Sequence, residues 1–331
     1  MTTITMPVLY EKLQKLGFSQ DYVRKQGLPT WWDDECDQDN DVALEGAAHI
    51  SRRLRLDLLS LLEAERTPEF KVAPHTKFKY HAQNKADIPD AAHQIASSVA
   101  ATIAHATELE FKPIPPNAQQ VRAEILENHS QINLNSILDY CWSHGIAVVY
   151  FNNYPSNTRK ITGLIQWHRE QPVIVLSHSR KHPTWLAFHL AHELGHLAFS
   201  HVKKEDDFML IDDEISHDPN DDEEMISNLF AVQLLLKHYD QAITRKRVYN
   251  GKQLSNNIQR LIDKEPSIDP CALAFNYAWH TGNFGFANKA IDCINNATNG
   301  DIVINHFLEN HIDWDDLSDD VGDRLEQILG E

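Results

Sequence analysis

Residues 192–196 read His-Glu-Leu-Gly-His, inside a stretch where Trp185, Leu186, Phe188, Leu190, Leu194, Leu197 and Phe199 recur at helical spacing. The pattern predicts a helix over Thr184–Ser200. Histidines four residues apart project from one helical face, so His192 and His196 can both reach one metal ion at about 2.0–2.1 Å. Glu193 then stands within reach of a proton on a water at that ion. The run Pro172–Ser177 just before the helix is β-branched and apolar, and its Val173, Ile174, Val175 and Leu176 read as an edge strand on which an extended peptide could pair.

A pair of histidines calls for a third protein ligand and an open position. Glu224 begins a second helix-patterned run, Asp222–His238, in which Glu224 and Asn228 share a face. Glu224 can ligate, while Asn228 orients a ligating histidine by a hydrogen bond, with Ser227 beside it. Glu223 and Glu214 are reserve ligands, and His189, three residues before His192, is a neighbouring group. The metzincin spacing requires Gly and His at positions occupied by Phe199 and Val202, so that pattern fails. The ligand types suit zinc. The competing reading of the pentapeptide is a histidine-rich buried helix, in a chain with 19 histidines.

Charge and length bound the alternatives. Thirty basic against 48 acidic residues give a net charge of −18, which repels phosphate backbones and makes direct nucleic-acid binding an unfavourable reading. Eleven of the 20 residues from Glu205 to Glu224 are acidic, which reads as a solvated, mobile loop able to screen a site or favour a basic substrate. No window approaches roughly 18 consecutive apolar residues, so no membrane-spanning helix is expected. Met1–Glu11 lacks a basic stretch followed by an apolar core, which points to the cytoplasm. Cys36, Cys141, Cys271 and Cys293 lie far apart without a CxxC pair, and read as reduced thiols.

The expected fold class is α+β. Residues 1–70 read as a helical amino-terminal module, 71–240 as the domain carrying the motif, and 241–331 as a helical extension packed on it. In the first module, Arg52, Arg53 and Arg55 imitate a helix-turn-helix surface, yet acids outnumber bases, so a degenerate or protein-binding module fits better. Asp37-x-Asp39-x-Asp41 begins like a calcium loop but has Val42 at the turn position and Ala48 at the twelfth, which excludes calcium. Phe70–Tyr80 reads as a linker or crossing strand. Strands are expected at Ile146–Phe151, Ile161–Trp167 and Val173–Leu176, forming one small sheet.

From about Ile132 to Leu236 these features together resemble the ImmA/IrrE metallopeptidases. The residues that carry the resemblance are a helix running into Gly145-Ile146-Ala147-Val148-Val149, then Pro172–Ser177, HELGH, and Glu-x-x-Ser-Asn-x-Phe-Ala from Glu224. The resemblance implies a zincin-like fold of the gluzincin type, with a small mixed sheet. It also implies a cytoplasmic regulatory protease of bacteria and mobile elements that acts on a helix-turn-helix repressor. Members often carry a histidine where this chain has Ser200; His201 is adjacent but projects to another face if the helix continues.

The residues thus support a zinc endopeptidase acting on a repressor, an antitoxin or a stress regulator. His192, His196 and Glu224 would hold the ion and Glu193 would serve as general base. Tyr277, His280 and His217 are candidates to steady the oxyanion. The alternative is a non-proteolytic regulatory protein that keeps the metal site and works by binding through its helices.

Overall fold

The computed structural model describes residues 4–63, 65–71, 76–79, 91–156, 158, 161–202, 204, 209–212, 221–238 and 248–330. The helical pattern at the amino terminus becomes α1 (Met6–Lys15), α2 (Gln20–Tyr22), α3 (Asp34–Gln38), α4 (Ala43–Arg53) and α5 (Leu58–Leu62). The acidic stretch that follows Trp31 and Trp32 is anchored from inside. Trp32 is buried with its Nε1 donating to Asp37 Oδ1 at 2.8 Å, and Tyr10 Oη donates to the same oxygen at 2.7 Å. Asp33 caps α3 by accepting from the Glu35 and Cys36 amides.

The middle of the chain holds β1 (Thr76–Lys79), α6 (Ala91–Thr107), α7 (Ala118–Leu126), α8 (Leu134–Ser143), β2 (Ala147–Tyr150), β3 (Gly163–His168), β4 (Gln171–Leu176), α9 (Pro183–Ala198), β5 (Met209–Asp212) and α10 (Asp222–Leu236). Together with helices on both faces of one sheet this is an α+β arrangement. The sheet order is β1-β5-β3-β4-β2. β4 pairs parallel with β2 and antiparallel with β3, β5 pairs antiparallel with β3, and β1 runs parallel to β5.

The two-residue period of the strands divides the core. Val148, Tyr150, Ile165, Trp167, Ile174 and Leu176 face the layer of α8, α9 and α10. Ala147, Val149, Leu164, Val173 and Val175 face α6 and the amino-terminal helices. A sheet covered on both faces explains why β4 is an unbroken apolar run, each fully buried Ile or Val contributing about 1.5–3 kcal/mol. It also corrects an expectation. Val173, Ile174, Val175 and Leu176 are not an edge strand, because β2 and β3 occupy both sides of β4.

Of the two readings of Phe70–Tyr80, the crossing strand is the one found, as β1. One further correction concerns the acidic run, read as a loop: it contains strand β5, and residues 205–208 and 213–220 of that run lie outside the described residues. The chain then forms α11 (Gly251–Ile262), α12 (Pro270–Thr281), α13 (Phe284–Ile294), α14 (Gly300–Glu309) and α15 (Asp319–Leu329). The cores cut across the three-segment division. Met6–Leu61 share one core with α6, the sheet and Leu308, Ile312, Leu325 and Ile328 from the end of the chain. None of the described helices is long and apolar enough to cross a membrane.

Candidate metal centre

Local sequence fixes both helices that carry the site. α9 starts at Pro183, where the missing amide is harmless, and the His182 ring Nδ1 accepts from the Thr184 amide at 3.2 Å. α10 is capped by Asp221, whose Oδ1 accepts from the Glu223 and Glu224 amides at 3.1 and 3.2 Å. Glu224 therefore sits in a first helical turn, where the helix dipole favours a carboxylate. The helices meet closely because position 195 is glycine: a Cβ there would lie 2.9 Å from Ser227 Cα.

That close approach brings three expected ligands together. His192 Nε2 lies 3.0 Å from His196 Nε2, Glu224 Oε2 lies 3.4 Å from His192 Nε2, and Glu224 Oε1 lies 3.2 Å from His196 Nε2. Both imidazoles are fully buried and Glu224 is 2% exposed. Among the described residues these three form the group able to hold a metal ion. Ligand atoms on a tetrahedral zinc at 2.0–2.1 Å stand roughly 3.3 Å apart, so the spacing and the two-nitrogen, one-carboxylate donor set fit zinc. Burial works to raise the Glu224 pKa, but hydrogen bonds and charge from His192 and His196 outweigh it and hold the carboxyl well below the usual range.

The unused ring nitrogens are also held. His192 Nδ1 lies 3.0 Å from Asn228 Oδ1; the amide oxygen can only accept, so Nδ1 carries the proton and Nε2 keeps its lone pair for a metal. Asn228 thus stands where the helical spacing places it. Ser227 is fully buried between the helices, with Oγ 3.4 Å from His201 Nδ1. That histidine is placed differently from expectation. α9 stops at Ala198, and Ser200 takes a left-handed conformation (φ 56°). The His201 amide donates to His196 O and the Ser200 amide to Leu197 O, a Schellman arrangement that folds the chain back. His201 Nδ1 consequently lies 3.0 Å from His196 Nδ1.

Glu193 is 2% exposed and its carboxylate lies against Gly163 at the start of β3, where a Cβ would overlap Oε1. Gly163 falls inside the strand expected over Ile161–Trp167. A glycine inside an apolar strand pattern is itself a signal of close approach. The strand that borders Glu193 is thus β3, and its other side is paired with β5, from Gly163 opposite Asp212 to Gln166 opposite Met209.

Among the described residues, no other His or Glu candidate joins the ligand group. Tyr277 is buried in α12, where Phe275, Asn276 and Trp279 line a cavity with Thr184 and Phe188 of α9 and Val232, Leu235 and Leu236 of α10. His280 is exposed in the last turn of α12. His217 and the reserve ligand Glu214 lie outside the described residues, and Glu223 is not one of the three clustered ligands. His189 is buried and stacks on His178 with centroids 4.3 Å apart. Burial first, then His178, His192 and Arg180, pushes its pKa well down, which favours the neutral ring.

Residues 141–250 match the family model Peptidase_M78, described as the IrrE N-terminal-like domain. These residues span β2, β3, β4, β5 and the helices α9 and α10, and over them the chain is similar to the ImmA/IrrE family, a family of metallopeptidases. No curated protein and no solved structure matches the chain.

Proposed function

We propose that the protein is a zinc-dependent endopeptidase that cleaves a regulatory protein partner. The observation that carries this reading is the convergence of His192 Nε2, His196 Nε2 and the Glu224 carboxylate on one buried point, one residue along α9 from a buried carboxylate that the triad does not use. A histidine-rich helix without chemistry has no need of Glu193. Zinc, when bound, supplies Lewis-acid polarisation of a scissile carbonyl and lowers the pKa of water toward about 7.

The chain's own residues do the rest. His192 and His196 offer neutral Nε2 lone pairs, and the Glu224 carboxylate offers an oxygen. Glu193 takes a proton from the attacking water at its carboxylate and returns it to the leaving amine, a role worth about 10²–10⁴-fold in rate. Gly163 leaves the room that this carboxylate occupies. Asn228 keeps His192 in one tautomer.

The partner class follows from the family resemblance and the charge: a cytoplasmic helix-turn-helix repressor, or an antitoxin or stress regulator, whose basic surface suits a chain of net charge −18. The test is proteolysis of such a partner by the full chain loaded with one equivalent of zinc, read by the appearance of a new amino terminus. Cleavage that disappears in Glu193→Gln, while zinc stoichiometry stays at one, is the expected result. Equal cleavage by Glu193→Gln would remove Glu193 from the mechanism.

A further inference from the structure

The two histidines facing the proposed metal point are supported differently. His192 is held by an amide oxygen from the neighbouring helix, whereas His196 has another histidine at its Nδ1. We infer that His201 is the positioning residue of His196: it accepts the His196 Nδ1–H and so keeps Nε2 turned to the metal with its lone pair free. This rests on the metal-site reading above.

His201 Nδ1 lies on the far side of the His196 ring from Nε2, so it does not share the point on which the triad converges. The His196 and His201 rings meet at 68° with centroids 5.1 Å apart, an edge-on approach suited to a hydrogen bond in the ring plane, not to stacking. For His196 to ligate through Nε2, its Nδ1 must carry the proton. His201 Nδ1 is then the acceptor, and its own proton sits on Nε2.

Backbone geometry enforces the contact. An α-helix continued through His201 would turn that side chain away from His196, five residues earlier. The left-handed Ser200 reverses the chain instead, a conformation that costs a non-glycine residue free energy. Ser227 Oγ at 3.4 Å and the Phe199 ring, stacked at 5.9 Å, bracket the His201 imidazole.

The test measures zinc affinity of the full chain by competition with a chromophoric chelator. Wild type is expected to bind one equivalent, His201→Ala to bind it roughly 10–100-fold more weakly, and His201→Asn, which restores an acceptor, to recover most of that loss. The tautomer is read independently in wild type by long-range proton–nitrogen correlation spectra of the zinc-loaded, histidine-labelled chain. His201 is expected as neutral Nε2–H with Nδ1 accepting. His201→Ala binding with wild-type affinity, or a His201 that carries a proton on Nδ1, overturns the assignment even if the variant folds poorly. Wild type that takes up no zinc would overturn the metal-site reading and this role with it, so the two failures are told apart.

Discussion

Two of the places where the described residues bury charge are built on opposite plans. At the junction of α4 and α15, Arg53 is 2% exposed and spends its guanidinium on Leu28 O, Gln327 Oε1 and Asp323 Oδ2 at 2.7–2.8 Å. Arg324 donates to Gln26 O at 2.9 Å, and Asp323 accepts from the Thr30 amide at 2.8 Å. Charge there is answered by partners spread around it, which pins the two ends of the chain together. At the α9–α10 junction, two imidazoles and a carboxylate turn their ligating atoms to one another and to one point. Buried charge whose donors and acceptors diverge into the fold is a clasp; buried charge whose lone pairs converge is a ligand set.

The largest effect expected at the clasp is on folding. Arg53→Ala leaves Asp323 without its main counter-charge and should cost about 3–5 kcal/mol in denaturant unfolding, with zinc affinity unchanged in protein that remains folded. Weakened zinc binding in that variant would mean that the two regions are coupled. At the ligand set the corresponding change is chemical. Gly163→Ala places a methyl where Glu193 Oε1 lies, at the movable end of a side chain, so fold and zinc stoichiometry should survive. Peptidase turnover should drop about 10²-fold, because a displacement of about 1 Å at a reacting group costs that much. Unchanged turnover would place Glu193 outside the reaction.

The smallest effect is in the acid range. Burial works to raise the Asp323 pKa, but hydrogen bonds from Thr30 and Arg53 outweigh it and leave the pKa below the ordinary carboxylate value. A group with a depressed folded pKa stabilises above its unfolded pKa of about 3.9, and that contribution fades as pH falls through the folded value. The stability gap between wild type and Asp323→Asn should be widest above about pH 4 and narrow on acidification. A gap that widens toward low pH would reverse the sign of the argument.

What the sequence made legible follows from how local each signal is. Helix α9 and the meeting of His192 with His196 are legible because a four-residue spacing on a helix has one geometric meaning, and the shared face of Glu224 and Asn228 follows from the same rule on α10. Strand β4 was seen but misplaced. Its uninterrupted Pro172–Leu176 run was taken for an edge, whereas an apolar run without alternation signals a strand covered on both faces and paired on both sides. β5 is hidden because its apolar stretch, Met209-Leu210-Ile211 after Phe208, is short and set within an acidic run. The placement of His201 is not legible because the chain reverses after α9 on Ser200, a residue that does not announce a left-handed turn as glycine would. The clasp could not be read at all: Arg53 and Asp323 are 270 residues apart, and nothing local tells a buried arginine from a solvated one.

The central claim is that α9 and α10 hold one metal ion between them. Its most direct test is anomalous diffraction at the zinc absorption edge from crystals of the full chain grown with zinc. The account predicts a single strong peak within bonding distance of His192 Nε2, His196 Nε2 and the Glu224 carboxylate, absent from crystals of Glu224→Gln. No peak at that point in the wild type, or a peak that Glu224→Gln leaves undiminished, would contradict it.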